Sequence, residues 1–133
     1  MSVRFYSIVI DCADVAAQGR WWAEALGWKI VYAAPDEVCI AAPHEADESR
    51  QIPLAEHVPG ITFVPVPEGK TVKNRLHIDL APGPDDDQSA EVERLVSLGA
   101  RRADVGQDTG SINWVVLTDP EGNEFCVLSS REK

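Results

Sequence analysis

Residues 75–104 of the chain read RLHIDLAPGPDDDQSAEVERLVSLGARRAD, and this stretch decides the fold. Its first residues predict a strand over 75–81. Apolar residues then recur at helical spacing over 87–98, where Gly99 supplies a stop, and a second short strand is predicted over 101–104. The stretch therefore predicts a strand, an amphipathic helix and another strand in succession.

Two more strands follow this stretch, and the same order of elements also precedes it. The elements predicted outside it are strands over 5–12, 28–32, 38–41, 61–66, 113–118 and 124–128 and a helix over 15–26. Asp14 is a good N-cap for that helix, and Gly27 can end it in the left-handed conformation. The chain is thus β-α-β-β-β written twice, and such an internal repeat predicts an α+β fold of two βαβββ modules.

The length of 133 residues fits one domain, over 1–133, and is too short for two independent cores. Within it, the repeat places a first module over 3–67 and a second over 73–129. The segment 43–60 lacks clear periodicity and is rich in acidic residues. Our default interpretation is a solvated, mobile loop, and a lid or a partner contact are the alternatives.

Charge and cysteine content narrow the classes of partner and the compartment. The net charge is -10, from 22 acidic and 12 basic residues, which argues against nucleic acid and anionic membranes as partners. The first apolar run is too short for a signal-peptide core or a membrane span. Three widely spaced cysteines without a CxxC pair suit a reducing compartment, so we expect a cytoplasmic protein.

Three motifs carry a resemblance to a known superfamily. They are the aromatic pair WW (21–22) before LG (26–27), the run KNRLHIDL (73–80) and the hairpin DPEGNEFCVL (119–128). Together with the duplication they resemble the glyoxalase/bleomycin-resistance/dioxygenase superfamily, also called vicinal oxygen chelate, and within it the glyoxalase-like domains. The resemblance implies two modules around a pseudo-twofold axis, whose concave mixed sheets enclose a cavity for a small molecule.

Metal-dependent members of that superfamily place their ligands on particular strands. Carried over residue by residue, those positions are Ser7, Val64, His77 and Cys126. Only His77 is a strong match, because Val64 cannot ligate and Ser7 is a poor ligand for a transition metal. We therefore expect no tightly bound transition metal at this position.

A cofactor is accordingly not predicted with the ligand set as it stands. Cys126 is a soft ligand where the glyoxalase I pattern has a carboxylate, so glyoxalase I activity itself is not expected. A divalent metal becomes possible if a carboxylate such as Asp79 or Glu124 completes the set.

The strand over 75–81 carries the most reactive combination of side chains. Alternation puts Arg75, His77 and Asp79 on one face, and the resemblance makes that the cavity face. A carboxylate can orient an imidazole that acts as a general base, while a guanidinium holds a substrate oxygen. The structural alternative is an ion pair between Arg75 and Asp79 beside a satisfied His77. Lys73 and Asn74 are interpreted as loop anchors.

Six further residues are predicted to contact the bound molecule, and three of them have a structural alternative. They are Ser7, Asp11, Val64, Trp114, Glu124 and Cys126. Cys126 could be a nucleophile, but a buried cysteine more often packs as a small hydrophobe. Trp114 could join the Trp21 and Trp22 pair as an aromatic wall, yet we favour the core for all three. Asp11 could face the cavity or cap its strand.

Three classes of function stay open on the sequence alone. The first is a lyase, isomerase or oxygenase that acts on a small oxygenated molecule, with His77 in proton transfer. The second is sequestration of a small molecule without turnover, as drug-resistance members of the superfamily do. The third is a regulatory or structural homodimer, since short edge strands make a homodimer plausible. A fold hosts many functions and does not choose among them.

Overall fold

The protein consists of two compact units, over 1–69 and 70–133, with the same succession of elements. The computed structural model describes residues 3–103 and 114–131. The strands are β1 (Ser7–Cys12), β2 (Lys29–Ala34), β3 (Glu37–Ala41), β4 (Gly60–Pro65), β5 (Ile78–Leu80), β6 (Arg101–Arg102), β7 (Trp114–Thr118) and β8 (Glu124–Leu128). The helices are α1 (Val15–Leu26), α2 (Pro43–Ala46) and α3 (Gln88–Ser97). No helix within the described ranges is long and apolar enough to cross a membrane.

The first unit is a four-stranded mixed sheet in the order β1-β4-β3-β2. β1 runs parallel to β4, and the other two pairings are antiparallel. The helix between β1 and β2 begins as predicted, because the Asp14 side chain accepts a hydrogen bond from the Ala17 backbone N–H at 3.0 Å. It ends at Gly27, whose φ of 67° is the left-handed conformation that glycine allows.

Helix α1 lies close against one face of this sheet. Gly19 permits the approach, since a Cβ at that position would come within 2.5 Å of the Val38 side chain. Trp21 and Trp22 are buried and meet edge to face, with ring centroids 5.1 Å apart. The prediction that these two tryptophans belong to the core is confirmed, and Phe63 of β4 completes that core with no exposed surface.

The second unit repeats the arrangement with the sheet order β5-β8-β7-β6. Here β5 runs parallel to β8, and β8 and β6 flank β7 in antiparallel pairs. Helix α3 is capped by Asp87, which accepts from the Ala90 backbone N–H at 3.1 Å. Val92 and Leu95 are the buried residues of this helix, and Phe125 of β8 is 1% exposed. The predicted α+β fold of two βαβββ modules with mixed sheets is thereby confirmed.

The strand predicted over 75–81 is shorter than expected. Only Ile78, Asp79 and Leu80 pair with β8, and residues 75–76 form a bend. The prediction was wrong here because this backbone leaves the sheet and is held by side-chain contacts described below. Likewise β6 keeps only its first two predicted residues, while positions 104 and 113 lie outside the described part of the chain.

The segment 43–60 contains more structure than its sequence pattern indicated. It forms α2 and one 3-10 turn over Leu54–Glu56. The Glu45 carboxylate joins its two ends, accepting from the Val58 backbone N–H at 2.7 Å and lying 3.1 Å from His57 Nδ1. The single-domain organisation and the module limits stay predictions, although the two units do divide between Gly69 and Lys70.

Candidate functional site

The second sheet carries a cavity of about 420 Å³ on the face that alternates away from Phe125. Because side chains alternate along β5, β7 and β8, every second residue of these strands points to that face. The polar lining residues are Lys73, His77, Asp79, Glu124, Cys126 and Arg131. The apolar lining residues are Trp114, Val116 and Leu128. A cavity of this size with apolar walls and a few converging polar groups is typical of small-molecule sites.

Three potential proton or metal ligands meet in this cavity. His77 Nε2 lies 3.1 Å from Asp79 Oδ1, and both side chains are about half exposed. Asp79 is directly paired with Cys126 across the parallel strands β5 and β8. One ligand atom from each residue lies within 4.8 Å of the others. The structure thus places Asp79, one of the two carboxylates that could complete the ligand set, beside His77 and Cys126, while the expectation of no tightly bound transition metal stays a prediction.

The Cys126 thiol is held in its protonated form. Burial raises the pKa of Cys126, and the negative charge and hydrogen bond of Asp79 raise it further. Lys73 acts in the opposite direction, toward the thiolate. A buried thiol with a raised pKa is a poor nucleophile at neutral pH, which supports packing over nucleophilic attack.

Glu124 is tied to the segment that precedes β5. Its carboxylate accepts from Lys70 Nζ at 2.9 Å and from the Asn74 backbone N–H at 3.1 Å. Burial acts to raise the pKa of Glu124, but these hydrogen bonds and the Lys70 charge outweigh it and leave the pKa below its ordinary value. Glu124 is therefore an ionised anchor at the edge of the cavity.

The placement of three other residues differs from the sequence interpretation. Arg75 lies in a bend before β5, is exposed and does not line the cavity, so the predicted shared face with His77 was wrong. Trp114 is 43% exposed and forms a wall, whereas the core was favoured for it. Arg131 lines the cavity too, although no pattern marks it in the sequence, since it follows the last strand.

Three predicted contact residues belong to the first unit. Ser7 and Asp11 are on β1, and Asp11 pairs with Val64 of β4. Ser7 lines a separate cavity of about 380 Å³ in that unit, together with Glu45 and His57. The predicted convergence of these residues with the second-unit cavity stays a prediction.

A family model described as glyoxalase-like domain matches residues 7–128, which is nearly the entire chain. The chain belongs to this family. No curated protein matches it.

Solved structures show the same fold in proteins of low sequence identity. The fosfomycin resistance protein FosX from Listeria monocytogenes, solved with Mn(II) and sulfate, has a TM-score of 0.67 at 10% identity, with 98% of this chain and 92% of that one covered. FosX from Mesorhizobium loti has a TM-score of 0.66 at 13% identity, with 98% of this chain and 94% of that one covered. A glyoxalase-related enzyme from Fulvimarina pelagi has a TM-score of 0.62 at 14% identity, with 96% of this chain and 88% of that one covered. At these identities the likeness shows the fold alone.

The cluster in this glyoxalase-like domain can be tested for its fit to a metal ion. Metal–ligand bonds near 2.0–2.3 Å require ligand atoms roughly 3.3–3.8 Å apart in a tetrahedral site. His77 Nε2 and Asp79 Oδ1 are already close enough, and a modest movement of Cys126 would complete a set of nitrogen, oxygen and sulfur. The donors therefore fit a divalent ion such as Zn²⁺, with the thiol losing its proton on binding.

Proposed function

We propose that this glyoxalase-like domain binds a small oxygenated organic molecule in the second-unit cavity, where His77 transfers a proton to or from it. The observation that supports the proposal is the contact of 3.1 Å between His77 Nε2 and Asp79 Oδ1 at the wall of that cavity. A lyase or an isomerase acts through such a proton transfer.

The tautomer of His77 follows from its partner. A hydrogen bond donated by Nε2–H to the Asp79 carboxylate leaves the Nδ1 lone pair to act as a base. Within residues 3–103 and 114–131, Nδ1 has no hydrogen-bond partner. About half of the His77 side chain is exposed, so a bound molecule can reach this nitrogen.

The walls of the cavity determine what kind of molecule fits beside the imidazole. Trp114 and Leu128 offer apolar surface, and Trp114 provides a flat face for a planar group. Lys73 and Arg131 offer positive charge that can hold a carboxylate or an enolate oxygen. This combination supports a compact organic molecule with oxygen substituents.

A metal-assisted reaction is the second candidate, and the fit of the cluster to a divalent ion favours it. His77, Asp79 and Cys126 would hold the ion, which when bound would polarise an oxygen of the substrate. Titration with Co²⁺ tests this without an activity assay, because a cobalt–thiolate bond gives charge-transfer absorption. That absorption should require Cys126, and its absence in the unsubstituted protein would exclude the site.

Solvent exchange measures the proposed proton transfer before the substrate is known. The protein is incubated in D₂O with a panel of small hydroxy and keto acids, and loss of the α-proton is followed by NMR. We expect His77→Gln to slow the exchange by about 10²–10⁴-fold, the usual contribution of a general base. His44→Gln is the matched control, since His44 lies on α2 in the other unit.

Two results would change the proposal in different ways. Exchange that is unaffected by His77→Gln would exclude proton transfer by His77. A compound that is retained in stoichiometric amount without any exchange would instead favour sequestration, the alternative expected from the drug-resistance members. Homodimer formation stays a prediction that sedimentation analysis can test separately.

A further inference from the structure

Residues 70–77, here called the strap, are hydrogen-bonded to one side chain of β8. The strap leads into β5 without regular structure. Glu124 accepts from Lys70 Nζ at 2.9 Å and from the Asn74 backbone N–H at 3.1 Å, so it holds the strap at two points. Lys70 Nζ also donates to the Val72 carbonyl at 2.6 Å, which tightens the turn between those points. The Glu124 and Lys70 side chains are 14% and 19% exposed.

Lys73 lies on the strap between the two points that Glu124 holds. Its side chain lines the cavity, and its charge is close enough to act on the Cys126 thiol. In the part of the chain that the structure describes, no ion pair joins Lys73 to a carboxylate, whereas Lys70 neutralises Glu124. Lys73 therefore presents a positive charge to whatever occupies the cavity.

We propose that Glu124 is a positioning residue, which holds the strap so that the Lys73 ammonium lies in the cavity and selects an anionic ligand such as a carboxylate. The inference rests on the proposed function, because it specifies the charge of the molecule bound at that same site. The apolar walls strengthen the selection, since a charge beside apolar surface is less screened than one in water.

Electrostatics alone gives the opposite expectation for Glu124. If its negative charge were all that mattered, neutralising it would make the cavity more favourable to anions. A positioning role requires that neutralising or shortening Glu124 makes the cavity less favourable, because Lys73 is then no longer held in place. The sign of the effect therefore separates the two roles.

Cys126 provides a reporter for the charge around it. Its thiolate displaces iodide from either iodoacetate, which is an anion, or iodoacetamide, which is neutral. The ratio of the two rates is independent of the thiolate fraction, because the same thiolate attacks both reagents. The rates are measured on the full chain with a chelator present, by mass spectrometry of the Cys126 peptide, and the Cys39 peptide of the other unit is the internal reference.

Lys73→Met should lower the iodoacetate-to-iodoacetamide ratio at Cys126 by roughly three- to tenfold, the effect of one charge at short range with partial screening. Added salt should lower it in the same direction in the unsubstituted protein. A ratio that Lys73→Met leaves unchanged would overturn the inference.

Glu124→Gln and Glu124→Asp decide the role of Glu124 itself. Glu124→Gln removes the ion pair with Lys70, and Glu124→Asp keeps the charge on a side chain that is one methylene shorter. Both should lower the iodoacetate-to-iodoacetamide ratio at Cys126 toward the value of Lys73→Met. Glu91→Gln, which removes an ion-paired glutamate from α3, should leave the ratio unchanged. A ratio that rises in Glu124→Gln or stays unchanged in Glu124→Asp contradicts positioning. Circular dichroism identifies any variant that fails to fold, and the more conservative Glu124→Asp then carries the test.

The alkylation ratio does not depend on turnover, so the two proposals fail separately. If the ratios change as expected but no compound exchanges its proton, only the proton transfer by His77 is excluded. If His77→Gln abolishes exchange while the ratios contradict positioning, only the role of Glu124 is excluded.

Discussion

The two sheets share a strand order but carry different chemistry on the faces opposite their buried phenylalanines. Phe63 of β4 and Phe125 of β8 are 0% and 1% exposed, and each belongs to a strand with a parallel neighbour on one side and an antiparallel neighbour on the other. Aligning β4 with β8 through them makes Val64 the counterpart of Cys126 and Asp11 the counterpart of Asp79. The core of the repeat is thus maintained while the opposite face varies.

The same register identifies the counterpart of His77. Two residues before Asp11 on β1 is Val9, so the imidazole position of the second unit is an apolar side chain in the first. The carry-over by resemblance had placed Ser7 there. At these aligned positions the imidazole and the thiol occur in the second unit and apolar side chains in the first, which teaches that the repeat keeps the buried pattern while the chemistry on the opposite face differs.

The largest expected effect tests whether the two cores are equivalent. Phe63→Ala and Phe125→Ala each remove a fully buried ring from the centre of a sheet, so each should lower the free energy of unfolding by about 3–5 kcal/mol. Urea denaturation followed by circular dichroism measures both. A loss below 1 kcal/mol in only one of them would break the structural equivalence of the units.

A close helix approach distinguishes the first unit. Gly19→Ala would place a Cβ 2.5 Å from Val38 Cγ1, and the stiff valine side chain cannot turn away at low cost. We expect a loss of about 1–3 kcal/mol in the same denaturation experiment. Gly69→Ala is the matched control, because its Cβ would meet nothing within 4 Å.

A second substitution at Val38, the residue that the new Cβ would meet, tests this contact directly. Val38→Ala on its own leaves a cavity, yet combined with Gly19→Ala it should recover part of the lost stability, since the new methyl group fills the space. Two losses that simply add in the double variant would show that the helix does not approach the sheet in this way.

The smallest expected effect concerns the two thiols, each of which lies near a carboxylate in its own unit. Burial raises the pKa of Cys39, as it does that of Cys126, and Glu37 raises it further while a hydrogen bond with Thr62 opposes this. Removing the carboxylate should lower the thiol pKa and increase the thiolate fraction near pH 8. Glu37→Gln should therefore speed iodoacetamide alkylation of Cys39, and Asp79→Asn that of Cys126, each by a few fold.

The two substitutions serve as controls for each other. Each should leave the alkylation rate at the other thiol unchanged, because Glu37 contacts Cys39 within its own unit at 3.3 Å. An equal acceleration of both thiols by one substitution would indicate general loosening of the chain instead of a local charge effect.

Much of the fold was predictable because its signals are local in the sequence. Asp14 and Gly27 mark the ends of α1 through contacts within a few residues, and both are confirmed. The repeated order of strands and helices predicted the two βαβββ modules, and the family resemblance is confirmed by the match over 7–128. The burial of Trp21 and Trp22 followed from helical periodicity.

The site was less predictable because it depends on residues far apart in the chain. Alternation placed Arg75 with His77, but the strand begins only at Ile78 and Arg75 stays outside the cavity. Glu124 and Lys70 are 54 positions apart, and neither has a neighbouring residue that marks it as a partner. No periodicity in a sequence specifies such a contact.

The sequence by itself determined the order of the main elements, the ends of α1 and the burial of its tryptophans, since capping and burial on a helix depend on neighbours three or four positions away. Only the tertiary structure decided which polar groups meet. The register between β5 and β8 brings Asp79 beside Cys126, and Glu124 of β8 accepts a hydrogen bond from the Asn74 backbone N–H of the strap. Because sheet pairing joins segments that are distant in the chain, the chemistry of this cavity is a property of the folded arrangement.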